Sequence, residues 1–236
     1  MHELLLSITN SAKQTMQAQA INAHNLANAG TEGFKAEIAY YSALDPEGDI
    51  ASNPDLSPGV MRTTGRDLDV SVNGEGWIAV MAEDGTEAYS RRGDLQIDAF
   101  GQLTNGAGQP VMGNNGPIAL PPFGSLEIGS DGTISILPLG QTPNTLAVVD
   151  RIKLVALEQS EVQRGSDGLI RMPDGFAVEA DASVSVMSGM LEGSNVNVVG
   201  EMVKMIDLAR RFESEIKLMQ SAKENSAALA KIMSIN

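Results

Sequence analysis

The chain has 236 residues, room for one large domain or two modest ones, and with 42% hydrophobic but only 4% aromatic residues its core must rest on Val, Ile, Leu, Met and Ala. A formal net charge of −14 argues against a nucleic-acid partner, because such a surface repels phosphate. The absence of cysteine excludes disulfides, thiolate metal sites and cysteine nucleophiles, and no apolar run reaches the 18 residues that a membrane span needs.

The opening stretch, MHELLLSITNSAKQ, lacks a basic leading region and has too short an apolar run for a cleavable secretory signal, so none is expected. From Leu5 onward, apolar or small residues fall at Leu5, Ile8, Ala12, Met16, Ala20, Ala23 and Ala27, in steps of three or four. That spacing predicts a helix with a narrow Ala/Met stripe, which lets another helix approach closely; Leu4 and Leu6 form a second apolar flank, and Gly30 supplies the stop. The segment 42–59, SALDPEGDIASNPDLSPG, has no periodicity and three prolines. It is expected to be an extended, exposed connector that orders against a partner.

From about residue 60 the period falls to two. Leu68, Val70 and Val72 alternate up to a turn at Asn73-Gly74, and the run resumes with Trp77, Ile78 and Val80. Further turns are expected at Asp84-Gly85 and Asn105-Gly106. A complete hairpin is expected with Leu126 and Ile128 on one arm, Asp131-Gly132 at the turn, and Ile134 and Ile136 on the other. Ile152, Leu154 and Ala156 alternate, and Phe176 with Val178 reads as a last short strand. Short strands at close intervals predict an antiparallel β domain rather than βαβ units.

After the break LEGSNVN, in which Ser194, Asn195 or Asn197 can cap a helix, Met202, Met205, Ala209, Phe212, Ile216 and Met219 step by three and four as a heptad seam. Lys223 and Ser226 interrupt that seam before Ala230 and Met233, while Val199, Val203 and Ile206 widen its apolar face. The resulting fold class is mainly β with terminal α-helices. It comprises an N-terminal helix (1–35), a connector (36–65), an antiparallel β domain (66–190) and a C-terminal helix (191–236), with the two helices pairing as a coiled coil. Pairing of Ala/Met seams is weak, so the helices are expected to gain order among neighbouring molecules.

Residues suited to chemistry are few. His2 and His24 have no paired-ligand spacing, and the Gly-rich segments lack phosphate-cradle spacing. Arg62, Arg66, Arg91 and Arg92 stand out in an acidic chain, with pairing to the many carboxylates favoured over an anion site. No enzymatic role, cofactor or metal is expected.

The segment NLANAGTEGFKAE (25–37) resembles the N-terminal signature of the bacterial flagellar rod and hook protein family, through Asn25, Leu26, Ala27, Asn28, Thr31, Gly33, Phe34 and Lys35. LEGSNVNVVGEMVKMIDLARRFE (191–213) is similar to the family's C-terminal signature, through Ser194, Asn195, Val196, Asn197, Met202, Ile206 and Phe212. The stretches GRDLDVSVNGEGWIAV and YSRRGDLQIDAFGQLTNGAGQPVMG are similar to its shared β region, so the resemblance covers most of the chain; His24 departs from it, where the family usually has Asn.

The resemblance implies a structural subunit of the basal-body rod, exported without a cleaved signal through the flagellar export apparatus and located where the rod crosses the periplasm. Its partners would be other rod proteins and copies of itself, with the β domain facing outward. The assembly interface would use Leu5, Ile8, Ala12, Met16, Ala23, Leu26, Ala27, Met202, Met205, Ala209, Phe212, Ile216 and Met219. Length and both end segments are most similar to proximal-rod members. A distal-rod or hook-type subunit is the alternative within the family, and a ligand-binding or enzymatic β domain is the alternative of another class.

Overall fold

The structure, a computed structural model, describes residues 2–40, 50–140, 146–158, 162–165 and 167–233, without the side chains of 2, 4 and 226–233. Part of the expected connector, residues 42–49, and the readings made for the side chains of Leu4, Ser226, Ala230 and Met233 lie outside the described residues. The chain divides into a helical unit (Met1–Ala29, Glu37–Asn53, Val196–Asn236) and a β unit (Gly30–Ala36, Pro54–Asn195).

In the helical unit, α1 spans His2–Ala27 and α2 spans Val198–Met233. α1 ends where Asn28 folds its side chain back onto the His24 carbonyl, at 3.0 Å. α2 begins at Asn197, whose Oδ1 accepts the Gly200 N–H at 3.0 Å; of the three cap candidates this is the one that caps. The helices contact each other and run antiparallel. Thr9 meets Met219, Thr15 meets Glu215 and Asn22 meets Glu201, so partners descend α2 as α1 ascends. A two-stranded sheet, Glu37–Tyr40 with Ala51–Pro54, lies beside α1. Asn25 holds it by accepting from the Glu37 N–H at 2.8 Å and donating to the Glu37 carbonyl at 2.9 Å. Strand pairing therefore reaches into the stretch read as a connector; the ladder is made by backbone groups, which leave no side-chain period.

The β unit is built from antiparallel pairs. Its largest sheet has five strands, in the order Leu154–Ala156, Gly76–Met81, Glu87–Ser90, Ile170–Arg171 and Gln163–Arg164. The strand Gly76–Met81 is buried on both faces. Ile78 and Val80 join a core with Val70, Leu95, Ile134 and Leu154, while Trp77 and Ala79 join a second with Tyr89, Val155 and Ile170. The same double burial explains why Arg151–Leu157 does not alternate as expected: Ile152, Leu154, Val155 and Leu157 are all buried and Ala156 is exposed.

The hairpin Phe123–Ile128 with Thr133–Pro138 forms as read. Asp131 accepts from the Thr133 N–H and hydroxyl, and Gly132 takes φ +84°. The turn at Asp84-Gly85 likewise joins Gly76–Met81 to Glu87–Ser90. The strand expected at Phe176 and Val178 does not form. Phe176 follows the Gly175 turn and is exposed, and the Val178 N–H goes to the Tyr89 hydroxyl at 2.7 Å instead of to a ladder.

Two strands not read from the sequence close the unit. Ser185–Ser188 pairs with Val70–Asn73, and Met190–Glu192 pairs with Met61–Thr63. The chain therefore enters and leaves the β unit side by side.

Candidate assembly interface

The two signature segments meet inside the β unit. Gly33 donates its N–H to the Glu192 carbonyl at 2.7 Å, and Asn195 donates its N–H to the Phe34 carbonyl. Gly33 has φ +67°, and a Cβ there would lie 2.4 Å from the Arg91 carbonyl carbon, so only glycine fits. Asn195 accepts from the Ala36 N–H at 2.7 Å and donates to the Asp55 carbonyl at 2.9 Å. The Arg164 guanidinium lies 4.8 Å over the Phe34 ring.

At the centre is a buried ionic clasp. Glu192 is 1% exposed; its Oε1 accepts from Lys35 Nζ at 2.6 Å and from the Gly59 N–H at 2.8 Å, and its Oε2 accepts from Arg91 at 3.0 Å. Lys35 also donates to the Ser57 carbonyl and Arg91 to the Val72 and Gly74 carbonyls, and Arg91 stands 5.2 Å over Trp77. Burial pulls the Lys35 ammonium below its ordinary pKa despite the Glu192 carboxylate, and burial does the same to Arg91. Lys35 was a motif residue in the sequence. Its partners Glu192 and Arg91 were not, and only bringing the two signatures together points to them.

The four arginines that stood out in the sequence each pair with a carboxylate of the same chain: Arg62 with Glu32, Arg66 with Asp69, Arg91 with Glu192 and Arg92 with Asp94. A cavity of about 60 Å³ bordered by Asn114, Arg151 and Asp181 is small against the ~300–1,000 Å³ of ordinary ligand sites. Among the described residues no group of three or more His, Asp or Glu gathers as a metal set, and no helix is long and apolar enough to cross a membrane.

The helical unit also buries polar groups, along the contact between its helices. The face of α1 that is buried carries Ala12, Thr15, Ala18, Asn22 and Asn25. On α2, Glu215 and Ala222 are buried, with Met205, Leu208, Phe212, Ile216 and Met219 half-buried. Ser11 and Thr15 donate to Glu215 Oε1 at 2.6 and 3.1 Å, and Asn22 donates to the Glu201 side chain. Of the residues expected at an interface, Leu5, Ile8, Leu26, Met205, Phe212, Ile216 and Met219 are half-buried and Ala12 is buried. Met16, Ala23, Ala27, Met202 and Ala209 point outward, as does Ala20. On α2, Val199, Met202, Val203 and Ile206, at 50–72% exposure, form a continuous apolar band one turn wide.

The pattern described as "Flagellar basal body rod FlgEFG protein C-terminal" matches residues 187–232, and "Flagellar hook protein FlgE/F/G D1 domain" matches 71–136. The flagellar basal-body rod protein FlgF of Escherichia coli is 43% identical, with both chains covered in full. FlgF of Salmonella typhimurium is 42% identical over the same full extent. The rod protein FlgG of Bacillus subtilis is 32% identical over 71% of this chain and 66% of its own.

Proposed function

We infer the role of this chain from its family, for it belongs to the flagellar basal-body rod proteins. It is a FlgF-type structural subunit of the proximal rod and not an enzyme. Its partners are copies of itself and neighbouring rod proteins, and it reaches the part of the rod that crosses the periplasm through the flagellar export apparatus. α1 and α2 pair as an antiparallel coiled coil and pack against the helices of neighbours, while the β unit faces outward.

The observation that carries this reading is the inverted polarity of the helix pair. Hydroxyls, an amide and carboxylates are turned in, and the Val199–Met202–Val203–Ile206 band is turned out. An isolated two-helix pair stabilises itself by burying its most apolar stripe. This pair keeps such a stripe exposed, which suits burial between subunits. Covering those four side chains is worth a few kcal/mol at about 25 cal/mol per Å².

The test is complementation of a strain lacking this protein. Wild-type protein restores motility, and the strain without it stops at the rod stage. Val203→Glu with Ile206→Glu fails to restore motility although the purified variant keeps its helix content and β-unit stability, because both side chains are exposed in the single chain. Full motility from the double variant overturns the interface, and completed flagella in the deletion strain overturn the rod role.

A further inference from the structure

We propose that Glu215 is a register pin: it fixes how α1 and α2 slide along each other, and so which apolar band the pair presents. That last consequence rests on the rod reading; the register itself does not. Glu215 is 7% exposed and sits in the middle of the contact between the helices. Three donors converge on its Oε1: Ser11 Oγ at 2.6 Å, Thr15 Oγ1 at 3.1 Å and Arg211 Nε from its own helix at 3.2 Å. Its Oε2 is buried without a hydrogen-bond partner. A carboxylate held in so little water tolerates only an alignment that brings donors to it.

The neighbouring seam positions offer no such check. Met205, Phe212 and Met219 recur every seven residues and Ala12 and Ala18 are small, and small and flexible apolar groups pack almost equally well when shifted by a heptad. Sliding α2 by seven residues, so that Phe212 takes the place of Met219, sets Glu215 opposite Leu4 and Ile8, which have no donor to give. It also takes Glu201 away from Asn22, whose amide donates to it. Two polar contacts at different points along the pair therefore agree on one alignment, and the buried one carries the larger penalty for error. A single polar group inside an otherwise permissive helix seam is the best-attested way to select register.

Since the chain has no cysteine, introduced thiols report register directly. Thr9→Cys with Met219→Cys marks the observed alignment, in which these side chains touch at 4.0 Å. Thr9→Cys with Phe212→Cys marks the alignment shifted by one heptad. Each pair is placed in the full-length chain with Glu215 intact, with Glu215→Gln and with Glu215→Leu, and disulfide yield is measured at low protein concentration beside far-UV helicity.

With Glu215 intact the aligned pair is expected to oxidise at least tenfold more than the shifted pair. Glu215→Gln, which keeps an acceptor for Ser11 and Thr15, retains that preference, whereas Glu215→Leu brings the two yields within about threefold while helicity is held or raised. An undiminished preference in Glu215→Leu overturns the proposal, and so does a loss of helicity in that variant with the preference kept. Failure of the rod reading shows elsewhere, in complementation, and leaves these yields unchanged.

Discussion

Both units bury charge, but they differ in what they leave in solvent. In the β unit a carboxylate and two cations are buried, with Glu192 holding Lys35 and Arg91, and the core strands keep Val70, Val72, Trp77, Ile78 and Val80 out of solvent. In the helical unit polar groups share the inside with Ala12, Ala18 and half-buried Phe212, while Val199, Met202, Val203 and Ile206 stand outside. Burying polar groups is tolerable in both places because each has a partner. The difference lies in what remains exposed: the helical unit has arranged its hydrogen bonds and keeps a continuous apolar band on α2 in solvent, the surface that the proposed assembly would cover.

The comparison can be broken at several points, and each unit has its own reporter. The single tryptophan, Trp77, lies in the β unit under Arg91, and far-UV ellipticity follows the helices. The largest effect is expected from Glu192→Leu, which leaves two buried cations without their anion. It should destabilise the β unit by about 3–5 kcal/mol in urea unfolding followed by Trp77 fluorescence, and a loss under 1 kcal/mol would mean that the clasp does not hold the unit together. Gly33→Ala should cost about 2–3 kcal/mol by the same probe, from a left-handed backbone and a Cβ pressed against the Arg91 carbonyl.

Asn197→Ala removes the cap of α2 and should cost the helical unit about 1 kcal/mol, visible in ellipticity and not in Trp77 fluorescence. The smallest effect concerns pH. Because burial lowers the Lys35 pKa, the folded chain gives up this proton before the unfolded chain does at 10.5. Between the folded value and 10.5 the unfolded state holds more protons, so this group adds stability as pH rises through that window and loses it again as pH falls. Tyr89, raised by burial, acts in the opposite direction. The difference between wild type and Lys35→Met isolates the lysine: wild type should gain relative to the variant on going from neutral pH towards 10.5, and a falling difference would reverse the assigned direction.

The hairpin around Asp131-Gly132 was legible because turn chemistry and alternation agree there, and the helices because their spacing is regular. The phase of α1 was not. The expected stripe is covered at Leu5, Ile8 and Ala12 but exposed at Met16, Ala20, Ala23 and Ala27, where the helix turns Thr15, Ala18, Asn22 and Asn25 inward instead. Hydrogen bonds to Glu215 and Glu201, and small side chains that allow close approach, decide the facing, and hydropathy does not register either. The strands Ser185–Ser188 and Met190–Glu192 were missed because their side chains alternate weakly and their partners lie more than a hundred residues earlier. Glu192 itself looks like any acidic residue beside a glycine turn until the fold delivers Lys35 and Arg91 to it.

The adjoining strands at which the chain enters and leaves the β unit make that unit a cassette. Ala36 and Asn195 are bonded to each other, so the gap handed on at this boundary is set there and not by the length of what lies between. Sequence can be added to or trimmed from a hairpin turn such as Asp131-Gly132, while the ends keep their spacing. A lineage could thus resize the β unit and leave the two ends of its chain as they are.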